Sequence, residues 1–203
     1  MFYRFSVWLL HILLTLFNQY IVVGENNIPD KGGAIVVSNH KCYDDPILVG
    51  CSCLRRRFYF VAKKELFQSF WFGLLIRSLG AFPVNRERVD RETIQTCTHL
   101  LEKGNLVLIF AEGTRNTDPN LDMLPLKTGF AFIANRAKVP VIPIYVTKAE
   151  NTFRFSIPKK KIFVHIGKPI PCDQPLRKLV ENTQNALHDL CLQGKEAYYG
   201  HQH

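Results

Sequence analysis

Seven short apolar runs punctuate the chain, at residues 20–23, 34–38, 58–62, 81–84, 106–110, 141–146 and 162–166. Runs of this length with little polar alternation read as strands buried on both faces. Most are separated by stretches with helical spacing, at 46–53, 67–79, from 89 to the glycine at 104, and 127–137, with a last amphipathic helix from Leu176 through Leu190. Strands alternating with helices predict an α/β sandwich whose central, largely parallel sheet is flanked by helices. In such open sheets ligands sit outside the carboxyl ends of the strands. Four of these runs lead into polar residues: His40 and Asp45, Lys63 and Lys64, Arg86, then Glu112 and Arg115. A parallel arrangement brings all of them to one sheet edge.

At 203 residues the chain is long enough for one domain with its own core, and 47% hydrophobic and 12% aromatic residues exclude a disordered or low-complexity chain. The formal charge of +9 favours an anionic partner: a membrane surface, a phosphate-bearing substrate or nucleic acid. Nucleic acid is disfavoured, because no recognisable binding module is present and the aromatics gather in apolar runs. The six cysteines, at 42, 51, 53, 97, 172 and 191, include no CxxC pair and read as reduced thiols in a cytosol-facing protein.

Residues 2–17 are apolar except for Arg4, His11 and Thr15 among a few polar positions, too short an uninterrupted run for the ~20 residues a spanning helix needs. An interfacial helix anchored by Tyr3 and Trp8 fits better, with packing onto the core as the competing reading. Arg55, Arg56 and Arg57 would meet anionic lipid at about 1 kcal/mol each, or form a solvated face. The apolar stretch 67–79 reads equally as a core helix or as a second membrane contact. The chain thus divides into a membrane-associating helix at 1–19, a catalytic domain at 20–193 and a polar, frayed tail at 194–203.

Among seven histidines only His40 sits on a strand-to-helix loop with a carboxylate five residues on. Asp45 can hold one imidazole nitrogen and leave the other as a base. Its other expected role is to cap the helix opened by Pro46, compatible with the first if one oxygen caps and the other meets the imidazole, and Asp44 is expected to be an exposed neighbour. A nucleophilic Cys42 partnered by His40 ranks below this, since the two are close along the chain. Glu112, Gly113, Thr114 and Arg115 suit an anion site, with glycine admitting backbone N–H groups and arginine binding phosphate in bidentate fashion. Lys127, Thr128 and Gly129 offer a further phosphate contact.

Four stretches in fixed order resemble the motifs of the glycerolipid acyltransferase family, whose best-known members are the lysophosphatidic acid acyltransferases. They are Asn39-His40 through Asp45-Pro46, Gly80-Ala81-Phe82-Pro83-Val84-Asn85-Arg86, Glu112-Gly113-Thr114-Arg115, and Val139-Pro140-Val141-Ile142-Pro143-Ile144; together they span residues 37–146. Cys42 stands where many members have serine, and Ala111 where proline is common. The resemblance implies a membrane-associated enzyme at the cytoplasmic face that acylates lysophosphatidic acid to phosphatidic acid, with acyl-CoA or acyl-carrier protein as donor. It implies neither a metal, another cofactor nor an acyl-enzyme. It assigns His40, Asp45 and Lys63 to catalysis, and Arg86, Glu112, Gly113, Thr114 and Arg115 to the acceptor phosphate. The same motifs serve acyltransferases of other acceptors: glycerol 3-phosphate, other lysophospholipids or lyso-aminolipids. A noncatalytic lipid-binding protein is the alternative outside enzymes.

Overall fold

The computed structural model describes residues 2–84, 91–147, 152 and 159–199. In chain order the elements are α1 (Phe2–Phe17), β1 (Asn18–Val23), β2 (Ala34–Ser38), α2 (Asp45–Cys51), β3 (Phe58–Lys63), α3 (Phe70–Ser78), β4 (Ala81–Val84), α4 (Arg91–Glu102), β5 (Leu106–Ile109), α5 (Gly129–Ala137), β6 (Val141–Thr147), β7 (Lys160–Ile166) and α6 (Leu176–Tyr199). The described strands form one seven-stranded sheet in the order β1-β7-β6-β2-β5-β3-β4. Only the β6/β7 pairing is antiparallel. The mostly parallel sheet flanked by helices is therefore as expected.

The continuous apolar runs follow from burial on both faces. Along β2, Ala34 and Val36 enter a core shared with α1 and α2, while Ile35 and Val37 enter a second core with α4, α5 and α6. All five residues of β2 are buried. Because β2 pairs in parallel with both β5 and β6, the loop after it emerges from the middle of the sheet.

Helix α1 exists and is divided by face. Tyr3, Val7 and Leu14 are buried, and the Tyr3 hydroxyl accepts the Phe58 N–H at 2.9 Å. Phe2, Phe5, Trp8, Leu9 and Leu16 remain exposed on it. Among the described residues no helix is long and apolar enough to cross a membrane. Helix α3 leaves Phe70, Trp71, Phe72, Leu74 and Leu75 exposed, so the reading of 67–79 as a core helix does not hold.

One further expectation changes, and the arginine run gains local partners while Arg55 and Arg57 stay exposed. Arg55 pairs with Glu25 and Asp30, Arg56 donates to the carbonyls of Pro29, Gly32 and Gly104, and Arg57 lies over the rings of Tyr3 and Tyr59. The frayed tail does not begin at 194, because α6 continues through Gly194 to Tyr199. Gly194 is buried, and a Cβ there would overlap Thr147 Oγ1, so close approach of helix to sheet explains the glycine. All six cysteines are free thiols.

Candidate active site

The residue after β2 sets the direction of the loop. The Asn39 side chain imitates a strand backbone: its amide nitrogen donates to the Val146 carbonyl (3.0 Å) and its oxygen accepts the Val146 N–H (2.8 Å). Buried His40 follows, with Nδ1 2.9 Å from Asp45 Oδ2. That oxygen also accepts the backbone N–H groups of Lys41 (2.7 Å) and Cys42 (2.8 Å). An oxygen gathering this many donors acts as a carboxylate acceptor, so the imidazole proton resides on Nδ1 and the lone pair on Nε2. Among the described residues nothing bonds Nε2.

Asp45 does not cap the helix. Asp44 occupies the N-cap position, no side chain caps α2, and Asp45 lies in the first turn with its carboxylate facing back into the loop. Asp44 is half-buried and its carboxylate accepts the Thr152 N–H at 3.2 Å, so it is not a fully exposed neighbour. The Cys42 thiol donates to Asp45 Oδ1 at 3.2 Å. Burial first, and the Asp45 charge second, push the Cys42 pKa up to about 12. A thiol held this way is a donor at neutral pH, not a nucleophile.

Strand β5 lies beside β2 and delivers the partner turn. Buried Glu112 accepts the His40 N–H on Oε1 and the Leu124 N–H on Oε2, both at 2.8 Å. The His40 carbonyl accepts the Asn116 N–H at 2.7 Å. Residues on either side of Gly113 thus grip both backbone groups of His40. The Phe110 ring stacks on the imidazole, centroids 4.1 Å apart and planes within 20°. Burial raises the Glu112 pKa above its ordinary value, against the lowering effect of its two N–H donors.

Gly113 has φ 77°, a left-handed turn suited to glycine. Thr114 is exposed, and the Arg115 guanidinium stacks over the exposed Tyr43 ring at 3.8 Å. Lys63 ends β3 with its side chain exposed and its ammonium 3.2 Å from Glu65. Two strand spacings separate β3 from β2, or roughly 10 Å along the sheet edge. Arg86 lies outside the described residues. An apolar cavity of ≈ 110 Å³ opens beside the turn, lined by Val61, Val84, Ile109, Phe110, Phe130 and Ile133 together with Gly113 and Lys127.

The Acyltransferase family model matches residues 19–147, which contain His40, Asp45 and the turn around Gly113. The chain belongs to this acyltransferase family. A 1-acyl-sn-glycerol-3-phosphate acyltransferase of Bacillus subtilis (strain 168) is 32% identical over 168 residues, 83% of this acyltransferase and 82% of that protein. One from Streptococcus pneumoniae is 34% identical over 137 residues, 67% of this chain and 49% of its own length. In three dimensions the acyltransferase resembles the crystal structure of the 1-acyl-sn-glycerophosphate (LPA) acyltransferase PlsC from Thermotoga maritima, with TM-score 0.71 and 25% identity, covering 93% of this chain and 79% of that one.

Three contributors to the acyltransferase site escaped sequence reasoning as functional residues. Asn39 steers the loop, Phe110 floors the imidazole and Asn116 holds the His40 carbonyl. The position of Asn39 directly before the histidine was the one local signal. Phe110 reads only as the end of an apolar run, and the Asn116 contact spans sequence positions that no periodicity links.

Proposed function

We propose that this acyltransferase moves an acyl group from acyl-CoA or acyl-carrier protein to the free hydroxyl of 1-acylglycerol 3-phosphate, forming phosphatidic acid for phospholipid synthesis. The observation that carries the reading is the pairing of His40 with Asp45 on a loop gripped by the turn that bears Arg115. A base of fixed tautomer beside a guanidinium suits a substrate with both a reactive hydroxyl and a phosphate.

In this reading His40 Nε2 takes the hydroxyl proton as the acceptor oxygen attacks the thioester carbonyl. The Asp45 carboxylate stabilises the imidazolium that forms. The backbone N–H groups of Lys41 and Cys42 already donate to Asp45, so the tetrahedral oxyanion is met by Lys63 or by N–H groups of the turn after Gly113. The carbon–sulfur bond then breaks, and protonated His40 returns its proton to the departing thiolate. Proton transfer of this kind contributes ~10²–10⁴-fold. Arg115, stacked on Tyr43, binds the acceptor phosphate, with Gly113 and Thr114 shaping the turn and Arg86 as a second cation. Glu112 serves this site by holding His40, since both its oxygens are occupied.

The same reading places the enzyme on the cytoplasmic surface of a membrane. Exposed aromatic and aliphatic side chains on α1 and α3 support it. Arg57 joins the two helices, stacking on Tyr3 of α1 and donating to the Ser78 carbonyl of α3 at 3.4 Å. Apolar patches rimmed by polar residues mark such contact sites.

The deciding experiment follows labelled acyl transfer from acyl-CoA and acyl-carrier protein to lysophosphatidic acid, beside lysophosphatidylcholine and glycerol 3-phosphate. Phosphatidic acid made by the wild type and not by a folded His40→Ala variant is the expected result. Transfer to another acceptor alone would replace the substrate assignment, and substantial activity of His40→Ala would overturn the mechanism.

A further inference from the structure

Lys127 lies at the start of the turn into α5 and is tied to the end of β5, its backbone N–H donating to the Ala111 carbonyl at 2.8 Å. Its side chain is draped across Gly113. A Cβ built on Gly113 would stand 2.5 Å from Lys127 Nζ, 2.7 Å from Cε and 2.9 Å from Cδ. The missing side chain at Gly113 is therefore the space that the Lys127 ammonium occupies. Lys127 is exposed and, among the described residues, forms no ion pair with any carboxylate. It also lines the apolar cavity beside Phe110, the ring that stacks on His40.

An ammonium without a carboxylate partner, lying over a turn at the rim of an apolar cavity whose wall includes the ring stacked on His40, is arranged for an anionic group on an amphiphile. Flexible surface lysines instead sample solvent at the cost of about 2 kcal/mol of rotamer entropy when ordered. Lys127 lies along Gly113, where no side chain competes for that space.

We infer that Lys127 is a phosphate-binding residue of this site, supplying a cation to one phosphate group of a substrate alongside the Arg115 guanidinium. The inference rests on the acyl-transfer reading for the location of the site. Two phosphates fit the chemistry: the monoester of the lysophospholipid acceptor and the phosphates of a CoA donor. Experiment separates them.

Steady-state kinetics of the full chain and of Lys127→Ala and Lys127→Arg are measured with lysophosphatidic acid and acyl-CoA. Monoacylglycerol serves as the phosphate-free acceptor and an acyl-pantetheine thioester as the phosphate-free donor. Lys127→Ala is expected to raise one KM by about tenfold with kcat within about twofold, the size of a lost charge-assisted hydrogen bond, and Lys127→Arg to recover most of it. A raised KM for lysophosphatidic acid that vanishes with monoacylglycerol assigns the acceptor phosphate. A raised KM for acyl-CoA that vanishes with the pantetheine thioester assigns the donor. Unchanged KM values for both substrates overturn the inference, whatever happens to kcat. If the wild type acylates no acceptor, the proposed function falls by itself. Calorimetric titration with lysophosphatidic acid and with CoA then decides the role of Lys127: weaker binding of either to Lys127→Ala supports it, and equal binding of both overturns it.

Discussion

The Glu112 carboxylate, carried at the end of β5, accepts the backbone N–H of His40 at 2.8 Å and so ties two neighbouring strand ends together at the imidazole. Its other oxygen holds the Leu124 N–H. A glutamine at this position has one acceptor atom for two donors. Glu112→Gln is expected to cost about 1–3 kcal/mol of stability through the buried N–H left unpaired, and to lower kcat as His40 loosens. Thermal unfolding and initial rates measure both, and a variant equal to wild type in both would remove Glu112 from the frame of the site.

The same residue carries a pH signature. Burial raises the Glu112 pKa above its ordinary value of 4.5, more than its N–H donors lower it. The folded chain then holds this proton more tightly than the unfolded chain. Its contribution to stability is full below the ordinary value and is lost as pH rises through the raised one. The thermal midpoint of Glu112→Gln plotted against pH is therefore expected to lack that decline. Superimposable slopes in the two proteins would place the titration elsewhere.

Asp45 holds His40 Nδ1, the N–H groups of Lys41 and Cys42, and the Cys42 thiol. Asparagine presents a single acceptor oxygen to these donors and permits the wrong imidazole tautomer. Asp45→Asn is expected to lower kcat by ~10²–10⁴-fold with the fold retained. Circular dichroism beside initial rates checks this, and a rate near wild type would sink the tautomer argument.

How much of this was legible before the structure depends on the distance over which each interaction acts. Strand identity, the parallel sheet and the pairing of His40 with Asp45 are local or periodic signals, and they survive in the fold. The capping role given to Asp45 failed because a carboxylate in a tight loop satisfies the nearest free N–H groups, here Lys41 and Cys42, before those of the helix. The internal partners of the arginine run were not legible for a tertiary reason. Glu25, Asp30 and the carbonyls around Gly32 come into reach only when β1 and β2 are placed, and no spacing announces them. The tail is expected to fray from 194 because it is polar and terminal; in the fold α6 continues past it, with Gly194 packed against Thr147.

Cys42 supplies a chemical prediction. Burial and the Asp45 charge push its pKa up to about 12, so almost none of it is thiolate at pH 7.5. Iodoacetamide at that pH is expected to leave acyl transfer nearly intact over an hour. Cys42→Ser, which keeps a donor to Asp45 Oδ1, should retain most activity, while Cys42→Ala loses about threefold to tenfold. Rapid inactivation by the reagent, abolished in Cys42→Ser, would reinstate a reactive cysteine.

Both tryptophans of the chain stand on the surface, Trp8 on α1 at 52% exposure and Trp71 on α3 at 78%. Exposed aromatics this large favour the boundary between headgroups and acyl chains, where a ring can shed water while its N–H stays hydrated. Vesicles containing anionic phospholipid are expected to shift the emission of the protein to shorter wavelength, and brominated acyl chains to quench it. Trp8→Ser and Trp71→Ser each leave a single reporter, so quenching in both variants would show α1 and α3 in contact with lipid together. Quenching in Trp71→Ser alone would confine the contact to α1 and leave the exposed face of α3 to another partner. No shift and no quenching in the wild type would remove the membrane surface from the proposed function, while the chemistry of His40 and Asp45 would stand unaffected.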